Sequence, residues 1–266
     1  MNTDLNLFNY LYLDDVRGKI IKENRELLEE STKLMAYIEN DFLVLLNEIS
    51  LENTNEFRVN QAVFILFAQG VKSAKSSLVL CLEGYFTNSV MCLRNCLETI
   101  FNIKYIIGDR NKSLNRAEKY LTKPGYWADD SVKKRANMEL DNPLYEVYSV
   151  FSNYTHSNYM GASQNISSEE SSSTFSISTL PSTEKCSNLI NILNALLYFL
   201  INVISEYYNV DNPKFNSIQL NEKTKELLDM FNTERQVIMQ HFKEEMGLPI
   251  EDIEEIIKEY KKSKQK

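Results

Sequence analysis

Glycine and proline are scarce in this chain, Gly 7 and Pro 5 among 266 residues. Average usage, about 7% and 5%, would place roughly 32 of them in a chain of this length. Turn-rich β-sandwiches and barrels need such residues at short intervals, since glycine supplies positive φ and proline presets turn geometry, so those architectures are excluded. No two glycines lie close enough for a GxGxxG or GxxxxGK(S/T) loop, which also excludes folds that cradle phosphate on a glycine-rich backbone. A protein of long helices remains.

Hydrophobic periodicity supports an all-α fold, a multi-helix bundle with a Ser-rich excursion and a C-terminal helical appendage. Asp14 to Ser50 reads as one long helix, with Ile20, Leu27, Leu34, Ile38 and Phe42 recurring at helical spacing. Further helices are expected over Glu56 to Leu82 and Thr87 to Ile107, separated at Gly84. Gly108 to Leu140 is more polar and reads as two short helices around a Pro124-Gly125 turn. Asn142-Pro143 has the form of an N-cap followed by proline at the first helical position, opening a helix through His156. The serine-rich stretch, about 161–182, is a loop with a brief strand over Thr174 to Ile177, and an apolar helix follows from Ser182 to Tyr208. The bundle is assigned to 1–210. Beyond Asp211-Asn212-Pro213 the texture becomes densely charged, and 211–266 reads as an appendage with amphipathic helices over Leu220 to His241 and Pro249 to Lys264.

The formal net charge of −8 opposes non-specific adhesion to nucleic acid or to an anionic membrane, so a nucleic-acid site would have to be local. The opening residues lack a basic segment followed by an apolar run. The longest uninterrupted apolar runs, Ala62 to Ala68 and Ala195 to Ile201, fall short of the ~18 residues of a membrane span. A cytoplasmic protein with no membrane partner is the expectation. Cys81, Cys92, Cys96 and Cys186 form no CxxC pair, and the two histidines, His156 and His241, stand in different contexts, so no metal site and no cofactor are expected. Buried core thiols are the commoner fate of such cysteines.

Three features carry chemistry. Arg94 and Glu98 are four residues apart at the margin of an apolar helix, beside Phe101 and Tyr105. They form either a solubilising ion pair or an anion contact in which Glu98 orients the Arg94 guanidinium. Tyr145, Ser149, Ser152 and His156 make one stripe on the next long helix, opposite an apolar side of Leu144, Val147, Tyr148 and Phe151. The stripe is either a solvated face or one wall of a groove facing Arg94 and Glu98, where His156 supplies the imidazole for proton transfer. Between these helices, Arg110, Lys112, Arg116, Lys119, Lys123, Lys133, Lys134 and Arg135 face only Glu118, Asp129 and Asp130, with Trp127 among them. Such a patch suits RNA or nucleotide phosphates with a stacked base, or is plain solvated charge.

Taken together, Leu82-x-Gly84-Tyr85, Arg94-x3-Glu98 and Ser152-x3-His156 resemble a bacterial helical domain of uncharacterised function related to the HEPN-like superfamily. That resemblance, over about 57–157, implies a helical dimer from defence or stress systems, whose active members are metal-independent ribonucleases. It carries Gly84, Arg94, Glu98, Ser152 and His156 as pattern positions. Active members place a histidine five to seven residues after the arginine, where this chain has Thr99, Ile100 and Phe101. His156 would then have to act from the neighbouring helix, moving the proton of a ribose hydroxyl while Arg94 stabilises the phosphate, with Glu98 and Ser152 orienting them. The competing expectation is a non-catalytic interaction module in which Arg94, Glu98, Ser152 and His156 fix helix register. Its C-terminal helices would meet a protein partner, and self-association as a homodimer is the remaining expectation.

Overall fold

The computed structural model describes residues 17–52, 56–123, 144, 147–148, 151–152, 166–168, 175–177 and 183–208. The chain divides into two compact units, Met1–Leu220 and Asn221–Lys266, and every described residue belongs to the first. The described part is an all-α bundle with a small β-ribbon. Residues 17–23 are helical and lead through Asn24 into α1 (Arg25–Tyr37), a π-helical turn (Ile38–Phe42) and α2 (Leu43–Glu52). Helix α3 (Phe57–Leu82), helix α4 (Phe86–Ile107) and helix α5 (Arg110–Thr122) follow. Strands β1 (Ile166–Ser168) and β2 (Phe175–Ile177) pair antiparallel, with Ser167 opposite Ser176, and α6 (Thr183–Tyr208) completes the bundle.

The long first helix is broken in two places, and buried side chains account for both. Asn24 is buried and its amide donates back to the Ile20 carbonyl at 3.0 Å, a side-chain bond that competes with the backbone ladder. Leu34, Ile38, Phe42 and Leu46 are all buried at a strict spacing of four, which an ideal helix of 3.6 residues per turn would carry progressively off the core. The wider π turn takes up that drift and keeps Ile38 and Phe42 facing inward. Phe42 then packs against Phe67 of α3, with ring centroids 5.4 Å apart.

Gly84 stops α3. Its φ of 81° lies in the left-handed region that glycine enters without a Cβ clash, so the chain reverses there in a short turn into α4. Helices α3 and α4 make the most extensive packing pair, and α6 lies against both and against α1. Cys186 meets Cys81 at one end and Tyr208 meets Asn60 at the other, so α6 runs antiparallel to α3. Ser187 meets Asn24 and Asn194 meets Ser31, so α6 runs parallel to α1. At Gly70 of α3, side chains of α4 and α6 both press against the backbone. A methyl group there would stand 3.1 Å from Leu200 Cδ2 and 3.3 Å from Thr99 Cγ2.

Buried polar pairs register these apolar faces. Ser31 Oγ lies 2.6 Å from Asn194 Oδ1 and also donates to the Leu27 carbonyl, to which the Asn194 amide donates at 3.1 Å. Ser77 and Ser89 hydroxyls pair at 2.8 Å between α3 and α4, across the Gly84 turn. By length and apolar content α3 and the Cys186–Tyr208 stretch of α6 would each suffice to cross a membrane, which uninterrupted runs alone did not indicate. In α6 that window is 67% buried inside the bundle, as a central helix requires.

Asn194→Ala removes the amide shared by α1 and α6 and is expected to cost about 1–3 kcal/mol. Gly70→Val overfills the three-helix crossing and is expected to cost about the same. Exposed Gln69→Ala should stay within about 0.5 kcal/mol of wild type. Urea unfolding followed by circular dichroism measures all three.

Candidate functional site

Helix α4 turns Val90, Leu93, Leu97, Ile100 and Phe101 into the core, which leaves Arg94 and Glu98 on its rim. Their side chains are 24% and 27% exposed, mostly inside the protein yet reachable from outside. Arg94 Nε donates to Glu98 Oε1 at 3.2 Å. With the cation preceding the anion this is the weaker order for an i,i+4 pair, worth a few tenths of a kcal/mol by itself. A third member strengthens it.

That member is Tyr148, from the helical residues Leu144, Val147, Tyr148, Phe151 and Ser152. Leu144, Val147 and Phe151 are buried, and they seat the segment. The Tyr148 ring packs edge-on against Phe101, centroids 6.1 Å apart, and the Arg94 guanidinium lies 5.2 Å from the ring centre. Its hydroxyl accepts from Arg94 Nη2 at 3.0 Å and donates to Glu98 Oε1 at 3.0 Å. Ser152, one turn on, hydrogen-bonds the same hydroxyl. Burial raises the Tyr148 pKa above its ordinary value, and the Glu98 charge reinforces this against the opposing bonds from Arg94 and Ser152.

The structure thus brings together Arg94, Glu98 and Ser152 of the sequence-derived candidates. His156 lies outside the described residues. Tyr148 was assigned to the apolar side, and its ring does pack inward, but its hydroxyl closes the polar cluster. The signal available in the sequence was a tyrosine in an otherwise hydrocarbon stripe, since a buried phenol hydroxyl needs a partner.

The basic region divides. Arg110, Lys112 and Lys119 are exposed on α5, with Lys112 2.9 Å from Asp109. Asp109 caps the helix by accepting from the Asn111 backbone N–H, and its bond to Lys112 is the main cause holding its carboxyl below the usual range. Arg116 is turned inward: it donates to the Tyr105 carbonyl and lies 4.0 Å from the centre of the Tyr105 ring. Trp127, Lys133, Lys134 and Arg135 lie outside the described residues, as do the helices expected within 211–266. A cleft of about 690 Å³ lies elsewhere, along α1 and Tyr198, and its lining of Glu26, Glu29, Glu30 and Asp41 is unsuited to a phosphate. Among the described residues no group of three or more His, Cys, Asp or Glu side chains is placed to hold a metal ion.

A family of unknown function, DUF5677, matches residues 60–123, which run from the first turn of α3 to the end of α5. The match includes Gly84, Arg94 and Glu98 and stops before Tyr148 and Ser152. Neither a curated protein nor a solved structure matches the chain.

Five of the described tyrosines have phenols raised above the ordinary value of 10. They are Tyr120, Tyr148, Tyr198 and Tyr207, the last two at about 12, and Tyr208, higher still, each mainly through burial. A raised phenol means the folded state holds its proton more tightly, so this stability is fully present below pH ~10 and is lost as pH rises through the raised values. Base-induced unfolding is expected to begin above pH ~10, with phenolate absorbance appearing together with loss of helix. Tyr148→Phe, which keeps the ring and removes the hydroxyl, should make that pH dependence shallower while lowering neutral-pH stability by about 1–2 kcal/mol.

Proposed function

We propose that this chain is a helical interaction protein of HEPN-like type, in which Arg94, Glu98, Tyr148 and Ser152 form a polar lock fixing the Tyr148 segment against α4. The observation that carries this reading is the closed triangle: Glu98 Oε1 receives both Arg94 and Tyr148, while Arg94 donates to Glu98 and Tyr148 from two of its nitrogens. Groups satisfied by one another in this way define axial position, because losing one partner leaves the others half-buried and incompletely bonded. Arg116, occupied at Tyr105, fits the same pattern of inward use. The partner-facing candidates are the exposed α5 cations Arg110, Lys112 and Lys119, suited to the phosphates of RNA or a nucleotide. The charged helices expected beyond residue 211 are suited to a protein partner, and a second copy of the chain is a further candidate. A bacterial, cytoplasmic defence or stress system is the setting that the resemblance implies.

A metal-independent ribonuclease is the second reading, and a different observation favours it. Arg94, Glu98 and Ser152 meet on a rim that solvent reaches, and His156 follows Ser152 by four residues in the sequence. In that reading Arg94 stabilises the phosphate and His156 moves the proton of the ribose hydroxyl.

Incubation of the full chain with labelled single-stranded RNA in EDTA separates the two. The lock predicts no cleavage, with Arg94→Ala and Glu98→Ala each lowering unfolding stability by about 1–3 kcal/mol. EDTA-resistant cleavage that disappears in His156→Ala, with stability unchanged, would replace the first reading with the second. Fluorescence anisotropy on the same RNA should show binding that weakens with salt, and further in Arg110→Ala/Lys119→Ala, if α5 is the contact face.

A further inference from the structure

The four cysteines are free, and two of them stand apart from the rest. Cys96 is buried in α4, and burial pushes its thiol up to about 12. Cys81 and Cys186, 105 residues apart, face each other between the last turn of α3 and the first turn of α6. Cys186 Sγ donates to the Cys81 carbonyl at 3.3 Å, and Cys81 Sγ reaches the Cys186 carbonyl at 3.9 Å. Each sulfur thus lies against the other residue's backbone, which places the two side chains face to face between α3 and α6.

We propose that Cys81 and Cys186 form a redox pair, which a hydroperoxide closes to a disulfide joining the end of α3 to the start of α6. Cys186 is the attacking sulfur. It lies in the first turn of α6, where the positive end of the helix dipole favours a thiolate, and the neighbouring Cys81 thiol shifts it in the same direction. Cys81, at the C-terminal end of α3, is pushed the other way by its Cys186 neighbour and by burial, and keeps its proton as the resolving thiol. In the first step the Cys186 sulfur attacks a peroxide oxygen. The S–O bond forms as the O–O bond breaks, and the departing hydroxide takes up the proton released by Cys186 to leave as water. In the second step the Cys81 sulfur displaces hydroxide from the Cys186 sulfenic acid. The S–S bond forms, the S–O bond breaks, and the Cys81 proton leaves with hydroxide as a second water. Two thiols and one hydrogen peroxide give one disulfide and two waters.

Both sulfurs are buried, so reaction requires local opening, and both sit in terminal helical turns, where opening is easiest. The turn after α3 is held by a few backbone bonds, including Gly84 N–H to the Cys81 carbonyl. Closure would have a defined consequence. The covalent ring from Cys81 to Cys186 encloses α4, α5, Tyr148 and Ser152, so every residue of the polar lock would lie within it. The inference does not depend on what that lock does.

The full-length protein is reduced, desalted, exposed to hydrogen peroxide, denatured and titrated for free thiols, then digested without reductant for peptide mapping. The expected result is a fall from four thiols to two, a linked peptide joining Cys81 to Cys186 within one chain, and reversal by dithiothreitol. The oxidised protein should melt roughly 5–10 °C higher, since the staple restricts the unfolded chain. Cys92→Ser should still form the link, and Cys186→Ser should not. Four surviving thiols, over-oxidation of Cys186 without a link, or a linked peptide containing Cys92 or Cys96 would overturn the proposal. Mapping of the wild-type chain decides the matter even if a serine variant folds poorly.

Discussion

Gly70 of α3 faces Thr99 of α4 and Leu200 of α6 with no room for a side chain, and this contact ties the three central helices together. Apolar helices by themselves slide and rotate over one another at little cost, because hydrocarbon contacts are not directional. A glycine at this contact lets three backbones approach at one level and not at others. The buried serines and asparagines then select the axial register. Ser77 with Ser89, and Asn194 with Ser31, satisfy one another only in a single alignment, and a shift of one turn would bury each without its partner.

The rim of α4 follows from this arrangement. With one side of the helix held against α3 and α6, Arg94 and Glu98 are left at the edge of the core, too far inside to be fully hydrated and too far out to be sealed. Tyr148 resolves the conflict by placing an aromatic ring on Phe101 and a hydroxyl between the two charges. A single tyrosine therefore serves packing and polarity together, which is why the cluster joins two segments instead of decorating one helix.

Much of the architecture was legible from local chemistry. The helices around Gly84 begin and end within a residue or so of their expected positions, because glycine and the loss of apolar periodicity act locally. The short strand expected at Thr174 to Ile177 is present as Phe175–Ile177, whereas its partner Ile166–Ser168 was not foreseen, since a serine-rich stretch has no alternation to mark it. The π turn comes from the spacing of four kept by Leu34, Ile38, Phe42 and Leu46, which in sequence looks like ordinary helical spacing until all four have to face one core. Within the candidate site, the Arg94–Glu98 pair was visible as a spacing of four. The inward turn of Arg116 and the role of Tyr148 were not, since both depend on which aromatic ring lies opposite.

By itself, the sequence determined that the described part is helical, where the helices over 57–82, 86–107 and 183–208 start and stop, and which of their faces are apolar. These follow from glycine and proline scarcity and from periodicity, both properties of neighbouring residues. Only the tertiary structure decided which polar groups meet: Tyr148 with Arg94 and Glu98, Asn194 with Ser31, Cys81 with Cys186. Such meetings join residues tens to more than a hundred positions apart, and their geometry is set by how whole helices cross, which no local pattern along the chain encodes.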